Sequence, residues 1–364
     1  MLSFQKLGLL LVVSCFSASA LAAVPQSQDL MNPDSMKAPS KLTISPLRDK
    51  KSIIYYNSES LQKNVQPNEN LLTPPLLKAE AFKTKSIDDS NSHFVAMGFG
   101  KVDQGPQFDL PVTYNSKVRQ WVQFFQKNGK GDFKTYLERS YKYLPKIIPV
   151  LEAKGLPKDL AYLAMIESGF SPRAISSAQA VGYWQFIRPT AQRYNLKVEW
   201  WIDERRDIIK STIAAAEYLN DLYKMFNSWY LAAAAYNMGE GRVRRLIAKY
   251  NTNNYWTLSK KKDFPTETEQ YIPKLIAAML IAKAPQLYGF RNLKPMVPMK
   301  YEYVEVPGGT DIENLAYYIG ATKNDLLTLN PELVQGFVPQ NISSHRIRVP
   351  KGFLAKTKEF VAIH

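Results

Sequence analysis

A carboxylate on the apolar side of a helix is the first sign of chemistry in this sequence. In the segment Lys158–Ser168, residues Leu160, Leu163, Ala164 and Glu167 stand at i, i+3, i+4 and i+7, which is one face of an α-helix. A glutamate on such a face is rare, because burial disfavours its charged form and raises its pKa. A raised pKa is what a general acid needs near neutral pH. Gly169 follows directly and stops the helix, so the carboxyl would sit where the helix end opens into a cleft. The competing reading is structural: Glu167 would be one half of a buried ion pair with Arg205 or Arg206. Periodicity alone leaves both open.

Two further segments bear on the choice. Gly182-Tyr183-Trp184-Gln185-Phe186 is aromatic with one amide inside it. An amide can orient a polar ligand group while aromatic faces stack on it. Ala232-Ala233-Ala234-Ala235-Tyr236-Asn237-Met238-Gly239 is a close-packing helix that ends at Tyr-Asn and is closed by glycine. Either segment alone also reads as ordinary core. Cys15 is the one cysteine, and the three histidines (His93, His345, His364) are scattered. No metal site with recognisable spacing is visible, so no metal or other cofactor is expected and catalysis must rest on carboxylates.

Taken together, the motifs resemble a family. They are Glu167-Ser168, Phe170-x-Pro172-x-Ala174-x-Ser176, Gly182-x-Trp184-Gln185 and Ala235-Tyr236-Asn237-x-Gly239-Glu240-Gly241, flanked by Asp203-x-Arg205-Arg206-Asp207 and Glu267-Thr268-x-x-Tyr271-Ile272-Pro273. This order resembles the lytic transglycosylases with a goose-lysozyme-like fold, and among them the membrane-bound lytic transglycosylase D subfamily. The resemblance runs from about residue 110 to 289. It implies a mainly α, lysozyme-like catalytic domain that cleaves the bond between N-acetylmuramic acid and N-acetylglucosamine in peptidoglycan. It implies Glu167 as the catalytic acid and then base. The muramic C6 hydroxyl would attack C1, giving a 1,6-anhydro end without consuming water. It further implies substrate-binding roles for Ser168, Ser176, Tyr183, Trp184, Gln185, Tyr236 and Asn237, and for Tyr271 beside the glutamate. Many relatives have Leu-Met or Leu-Trp where this chain has Tyr183-Trp184, which leaves subsite detail open. No second acid has a comparable local signature, so the two-carboxylate scheme of most glycosidases is not required. Two other readings stay open: a lysozyme-like hydrolase of the same bond, and a non-catalytic wall-binding protein.

The elements that must position these residues are legible in outline. The chain has 364 residues, 45% of them hydrophobic, enough for one large core and a smaller module. The texture is helical from about residue 110. Val118, Trp121, Val122, Phe124 and Phe125 are spaced for one buried face. Helices are expected at about 132–144 and 145–153, separated at Pro145, and then at 158–168, 189–194, 208–226, 229–236, 241–250 and 267–284. Pro295 and Pro298 mark a linker. After it come a strand at 301–306, helices at 311–319 and 323–329, and a strand at 346–349. This small βααβ module, residues 300–352, resembles a divergent LysM domain. Its usual Gly-Asp-Thr appears as Gly309-Thr310-Asp311.

The N-terminal region reads differently. Lys6, the apolar run Leu7–Val13 and Ala20-Leu21-Ala22 have the form of a secretory signal peptide, residues 1–22. A second reading makes Val12-Val13-Ser14-Cys15 a lipoprotein site, with a lipid on Cys15 anchoring the chain to a membrane. Residues 23–105 are polar and aperiodic and read as a mostly disordered linker with a short strand at 52–56. The catalytic domain is then 106–292. The net charge of +15 favours a polyanionic partner. Export and the placing of the aromatics point away from nucleic acid and toward glycan strands. The expected location is the periplasm or cell envelope, outer-membrane anchored if Cys15 is lipidated, and the expected state is a monomer.

Overall fold

The computed structural model describes residues 106–298 and 300–363. Cys15, the signal segment and all of residues 23–105, with the strand expected at 52–56, lie outside the described residues. The body is helical: α1 (Ser116–Gln126), α2 (Lys130–Ala153), α3 (Ala161–Ser168), α4 (Arg188–Arg193), α5 (Ile208–Phe226), α6 (Trp229–Met238), α7 (Glu240–Tyr250), α8 (Tyr255–Leu258) and α9 (Thr266–Lys283). Short 3₁₀ turns at Lys158–Leu160 and Glu204–Arg206 lead into α3 and α5. No helix among the described residues is long and apolar enough to cross a membrane.

Local signals explain most of the element ends. Asn115 caps α1 by accepting from the Val118 N–H at 3.0 Å, and Asp207 caps α5 by accepting from Ile209 and Lys210 N–H, each satisfying orphan donors of a first turn. Val118, Val122 and Phe125 of α1 are buried as their spacing requires, whereas Phe124 is exposed. The break expected at Pro145 is absent. Helix α2 runs for 24 residues through Pro145 and Pro149. Each proline removes a helical hydrogen bond, but Tyr143, Ile147, Val150 and Leu151 keep one buried face continuous across both. Packing of that face outweighs the local breakers.

The C-terminal module is βααβ, as its pattern suggests: β1 (Tyr301–Pro307), α10 (Ile312–Ile319), α11 (Lys323–Leu329) and β2 (Ser344–Pro350). The strands pair antiparallel, with Val304 opposite Ile347. A further helix, α12 (Leu354–Ile363), lies beyond the expected boundary at 352 and packs Phe360 into the module's core. Ile202 of the helical body is buried in that same core.

Charge also joins the two parts. Arg348 of β2 is buried and reaches both Asp207 and Glu332, the latter at 3.0 Å. Asp207 and Glu332 are buried as well. Burial would push the Asp207 carboxyl up, but the Arg348 and Lys210 charges outweigh it and hold it below its usual range. Replacing Arg348 with Met strands two buried acids, so we expect the full chain to lose about 3–5 kcal/mol in a urea titration. A loss under about 1 kcal/mol would show that water already reaches this cluster.

Candidate active site

Glu167 is the last residue but one of α3, and the Leu160, Leu163 and Ala164 that share its face are fully buried. Gly169 ends the helix with φ +58°, and a Cβ there would lie 2.2 Å from the Tyr136 ring. Both the left-handed backbone and the ring demand glycine. The chain therefore turns immediately after the carboxylate, and Ser168 fixes the turn. Its Oγ donates to the Tyr183 carbonyl at 2.7 Å and accepts from the Ser171 N–H at 3.2 Å.

Neither Arg205 nor Arg206 neutralises Glu167. Arg205 binds both oxygens of Asp203 at 2.8 Å and donates to the carbonyls of Gln179 and Phe186. Arg206 donates to the Pro172 carbonyl. The Asp203 carboxylate is thus taken up by Arg205. Glu204 instead meets Lys210, and Asp207 meets Arg348. The arginines brace the loop 171–187 from behind, and that loop is tight. Gly182, at φ +82°, would place a Cβ 2.0 Å from the Arg205 carbonyl oxygen.

The partner of Glu167 comes from α9. The Tyr271 hydroxyl donates to Glu167 Oε1 at 2.5 Å, and Lys274 Nζ donates to the carbonyl of Ile166 at 2.9 Å. Glu267, Tyr271 and Lys274 stand at i, i+4 and i+7, one stripe of α9 turned toward α3. Burial raises the Glu167 pKa to about 7. The Tyr271 hydrogen bond and the Lys274 charge oppose that rise, and the Glu267 charge adds to it. A carboxyl with this pKa is protonated in a substantial fraction of molecules at neutral pH and can donate that proton.

A cleft of about 280 Å³ opens at this carboxyl. Gln185, Tyr236 and Asn237 line it together with Glu167. Gln185 is held at φ +49°, and its amide nitrogen donates to the Gly182 and Ala174 carbonyls, leaving the amide oxygen to offer a ligand. Tyr236 donates to the Trp184 carbonyl at 2.7 Å, and Asn237 accepts from Thr268 Oγ1 at 2.6 Å. The remaining candidates are elsewhere. Ser176 is buried and caps its own turn through the Ala180 N–H. Tyr183 and Trp184 are core residues, 1% and 0% exposed. Trp184 donates to Thr212 Oγ1 at 3.0 Å, and Tyr183 packs edge-on against Tyr143. They support the cleft floor and have no free face for a sugar.

Two acids that belong to the motifs but carry no role in the resemblance also line the cleft, Glu240 and Glu267. Burial would raise the Glu240 carboxyl, but hydrogen bonds from backbone, Arg193 and Tyr218 outweigh it and keep it below its usual range. Glu267 accepts from Asn237 Nδ2 at 3.4 Å. Its place four residues before Tyr271 on one helix was the available signal. A larger cavity, about 380 Å³, lies beside α2 and the end of α9, but its lining carries no carboxylate. Among the described residues, no group of three or more His, Cys, Asp or Glu side chains could hold a metal ion.

Residues 150–259 match the family model of the transglycosylase SLT domain. The chain carries an SLT domain. Around it, similarity extends further. Membrane-bound lytic murein transglycosylase D of Escherichia coli (strain K12) is 31% identical over 267 residues, covering 71% of this chain and 57% of that protein. Membrane-bound lytic murein transglycosylase C of Photorhabdus laumondii is 30% identical over 125 residues, 30% of this chain and 35% of that protein. The chain thus spans little more than half the length of the first of these relatives. The 70 kDa soluble lytic transglycosylase Slt70 of Escherichia coli superposes with a TM-score of 0.37 at 22% identity, over 47% of this chain and 29% of that one. The SLT match contains Glu167, Gln185, Tyr236, Asn237 and Glu240. It stops before α9, which completes the cleft with Glu267, Thr268 and Tyr271.

The half-buried acid makes the SLT domain pH-sensitive in a definite direction. With its folded pKa near 7 and an ordinary value of 4.5, Glu167 holds its proton more tightly in the folded state. Its contribution to stability is therefore fully present below about pH 4.5 and lost as pH rises through 7. Glu167→Gln should then stabilise the chain at pH 8 by about 1–3 kcal/mol and by almost nothing at pH 4. Thermal unfolding at the two pH values reads this directly. A variant less stable than wild type at pH 8 would mean that the carboxylate is better solvated than its surroundings indicate.

Proposed function

We propose that this chain is a lytic transglycosylase that cleaves the β-1,4 bond between N-acetylmuramic acid and N-acetylglucosamine in peptidoglycan. One observation carries the reading: a half-buried glutamate with a raised pKa, gripped by one tyrosine, at a cleft that Gln185, Tyr236 and Asn237 also line, in an SLT domain. In this mechanism Glu167 gives its proton to the glycosidic oxygen as the C1–O bond breaks. The muramic acetamido oxygen supports C1 from the other side. Glu167, now a carboxylate, takes the proton of the C6 hydroxyl while O6 bonds to C1. The product is a 1,6-anhydro end, the glutamate regains its proton, and no water is consumed. Tyr271 orients the carboxyl, while Gln185, Tyr236 and Asn237 contact the sugar.

Glu267 favours a second reading. A second carboxylate lining the same cleft could activate water and turn the reaction into hydrolysis. Digestion of peptidoglycan sacculi in heavy-oxygen water separates the two. We expect muropeptides ending in 1,6-anhydro-N-acetylmuramic acid without solvent oxygen. Products dominated by a labelled reducing end would favour the hydrolase.

The same proposal extends to the envelope. The named relatives D and C are membrane-bound, and the basic N-terminal segment accords with export. Cleavage after Ala22 and lipidation at Cys15 differ in the mass of the mature N-terminus. The βααβ module is proposed to be a LysM-like glycan binder on the basis of its strand and helix order.

The acid role has its own test. Glu167→Gln should lower turnover by at least about a thousandfold, since the amide keeps the shape of the side chain and has no acidic proton to give. Wild-type kcat/KM should fall on an alkaline limb centred near pH 7. Tyr271→Phe removes a hydrogen bond that lowers the Glu167 pKa, so its limb should move to higher pH. A limb unmoved or moved to lower pH in Tyr271→Phe would place the titrating group elsewhere.

A further inference from the structure

A pair of exposed indoles that the cleft does not use lies where the helical body meets the C-terminal module. Trp200 is 72% exposed and Trp201 36% exposed. Tryptophan is costly to leave in water, and two in succession are unusual on a surface with no partner. The loop that carries them is rigid. Val198 bridges Asp203, and the Glu199 N–H donates to the Ile202 carbonyl at 2.8 Å. From the module, Val334 N–H donates to the Trp201 carbonyl at 3.0 Å, and Asp203 N–H to the Glu332 carbonyl at 2.9 Å. The ring of Phe337 packs against that of Trp201, with centroids 4.6 Å apart and a tilt of 51°. Contacts from both parts thus hold the backbone that carries the two indoles, and Phe337 holds the ring of Trp201, so that binding would cost less ordering entropy than on a loose loop.

The loop is also tied to the cleft. Arg188 donates to the Val198 carbonyl at 2.7 Å, and Arg188 directly follows Ile187, which lines the cleft. The cleft, at about 280 Å³, is at the small end for ligand pockets, so a polymer threaded through it must continue over the surface. We propose that Trp200 and Trp201, the latter backed by Phe337, form an outlying subsite on which a sugar ring of the glycan strand stacks outside the catalytic cleft. This rests on the proposed glycan substrate. A pyranose presents an apolar C–H face bordered by hydroxyls. The pair fits it, offering indole faces on a loop that also carries the exposed Lys197 and Glu199, next to Gln335, whose amide donates to the Trp200 carbonyl. A lipid surface fits less well, because the loop alternates in charge and lacks the basic cluster that anionic headgroups attract.

The test uses the full chain carrying Glu167→Gln, so that bound polymer is not cut, pelleted with insoluble peptidoglycan sacculi. Adding Trp200→Ala should weaken sacculus binding by about tenfold, and Trp200→Phe should restore most of it. Trp200 is too exposed for its loss to threaten folding. With Glu167 intact, Trp200→Ala should cleave short soluble glycans at the wild-type rate. Unchanged pelleting of Trp200→Ala and of Trp200→Ala/Trp201→Ala would overturn the proposal. So would loss of binding only to phosphatidylglycerol vesicles, which would assign the surface to membrane. If the wild-type chain cleaves no glycan but pelleting still depends on Trp200, the catalytic reading fails and the subsite stands.

Discussion

A carboxyl group half withdrawn from water is the constraint on which this structure turns. Glu167 cannot ionise freely among Leu160, Leu163 and Ala164, so the surrounding groups must supply what solvent would. Tyr271 gives a hydrogen bond, and Lys274 gives a nearby positive charge while holding the end of α3 through Ile166. Glu267 works in the opposite direction. The balance of these opposed influences, rather than any one of them, leaves the group able both to give and to take a proton near neutrality. Helix α9 is therefore as much a part of the site as α3, although it lies outside the SLT match.

The same constraint explains what could be read from the chain alone. Glu167 and Gly169 were legible because helix periodicity and helix stops are local. The helical body and the βααβ order followed from the same short-range patterns. The partner of the acid was not legible from spacing, since Tyr271 is 104 residues away and only the fold brings it close. Nor was the partner of Asp207, at a separation of 141 residues. Resemblance to a family supplied Tyr271, but it suggested Tyr183 and Trp184 as sugar contacts, and both are core. An aromatic run looks alike whether it stacks on a ligand or fills an interior, because hydrophobicity is the signal in either case. The proline break in α2 was misread for a related reason. Pro145 is a strong local breaker, and only the burial on either side of it decides that the helix continues.

Behind the cleft, polar groups support one another in series. Asp203 holds Arg205, Arg205 holds the carbonyls of Gln179 and Phe186, and the loop between them carries Gln185 into the cleft. Asp207 begins α5 and ends in the grip of Arg348. The loop that forms the cleft floor is thus secured at its back by charges and not by apolar packing alone. Such a network fixes geometry more sharply than it stabilises.

The segment between α9 and β1, with Pro295 and Pro298, has the composition of a tether. It does not behave as one. Lys294 N–H donates to the Glu138 carboxylate at 2.9 Å and Met296 N–H to the Glu138 carbonyl at 3.1 Å, so the strap is fastened to α2 along its course. With Arg348 locked into the helical body at one end and Ile202 inserted into the module's core at the other, the two parts cannot swing apart without exposing a buried charge and an apolar core together. On the proposed function, a glycan passing from one part to the other would meet a stiff ruler, its spacing set by the fold and not by the length of a loose linker.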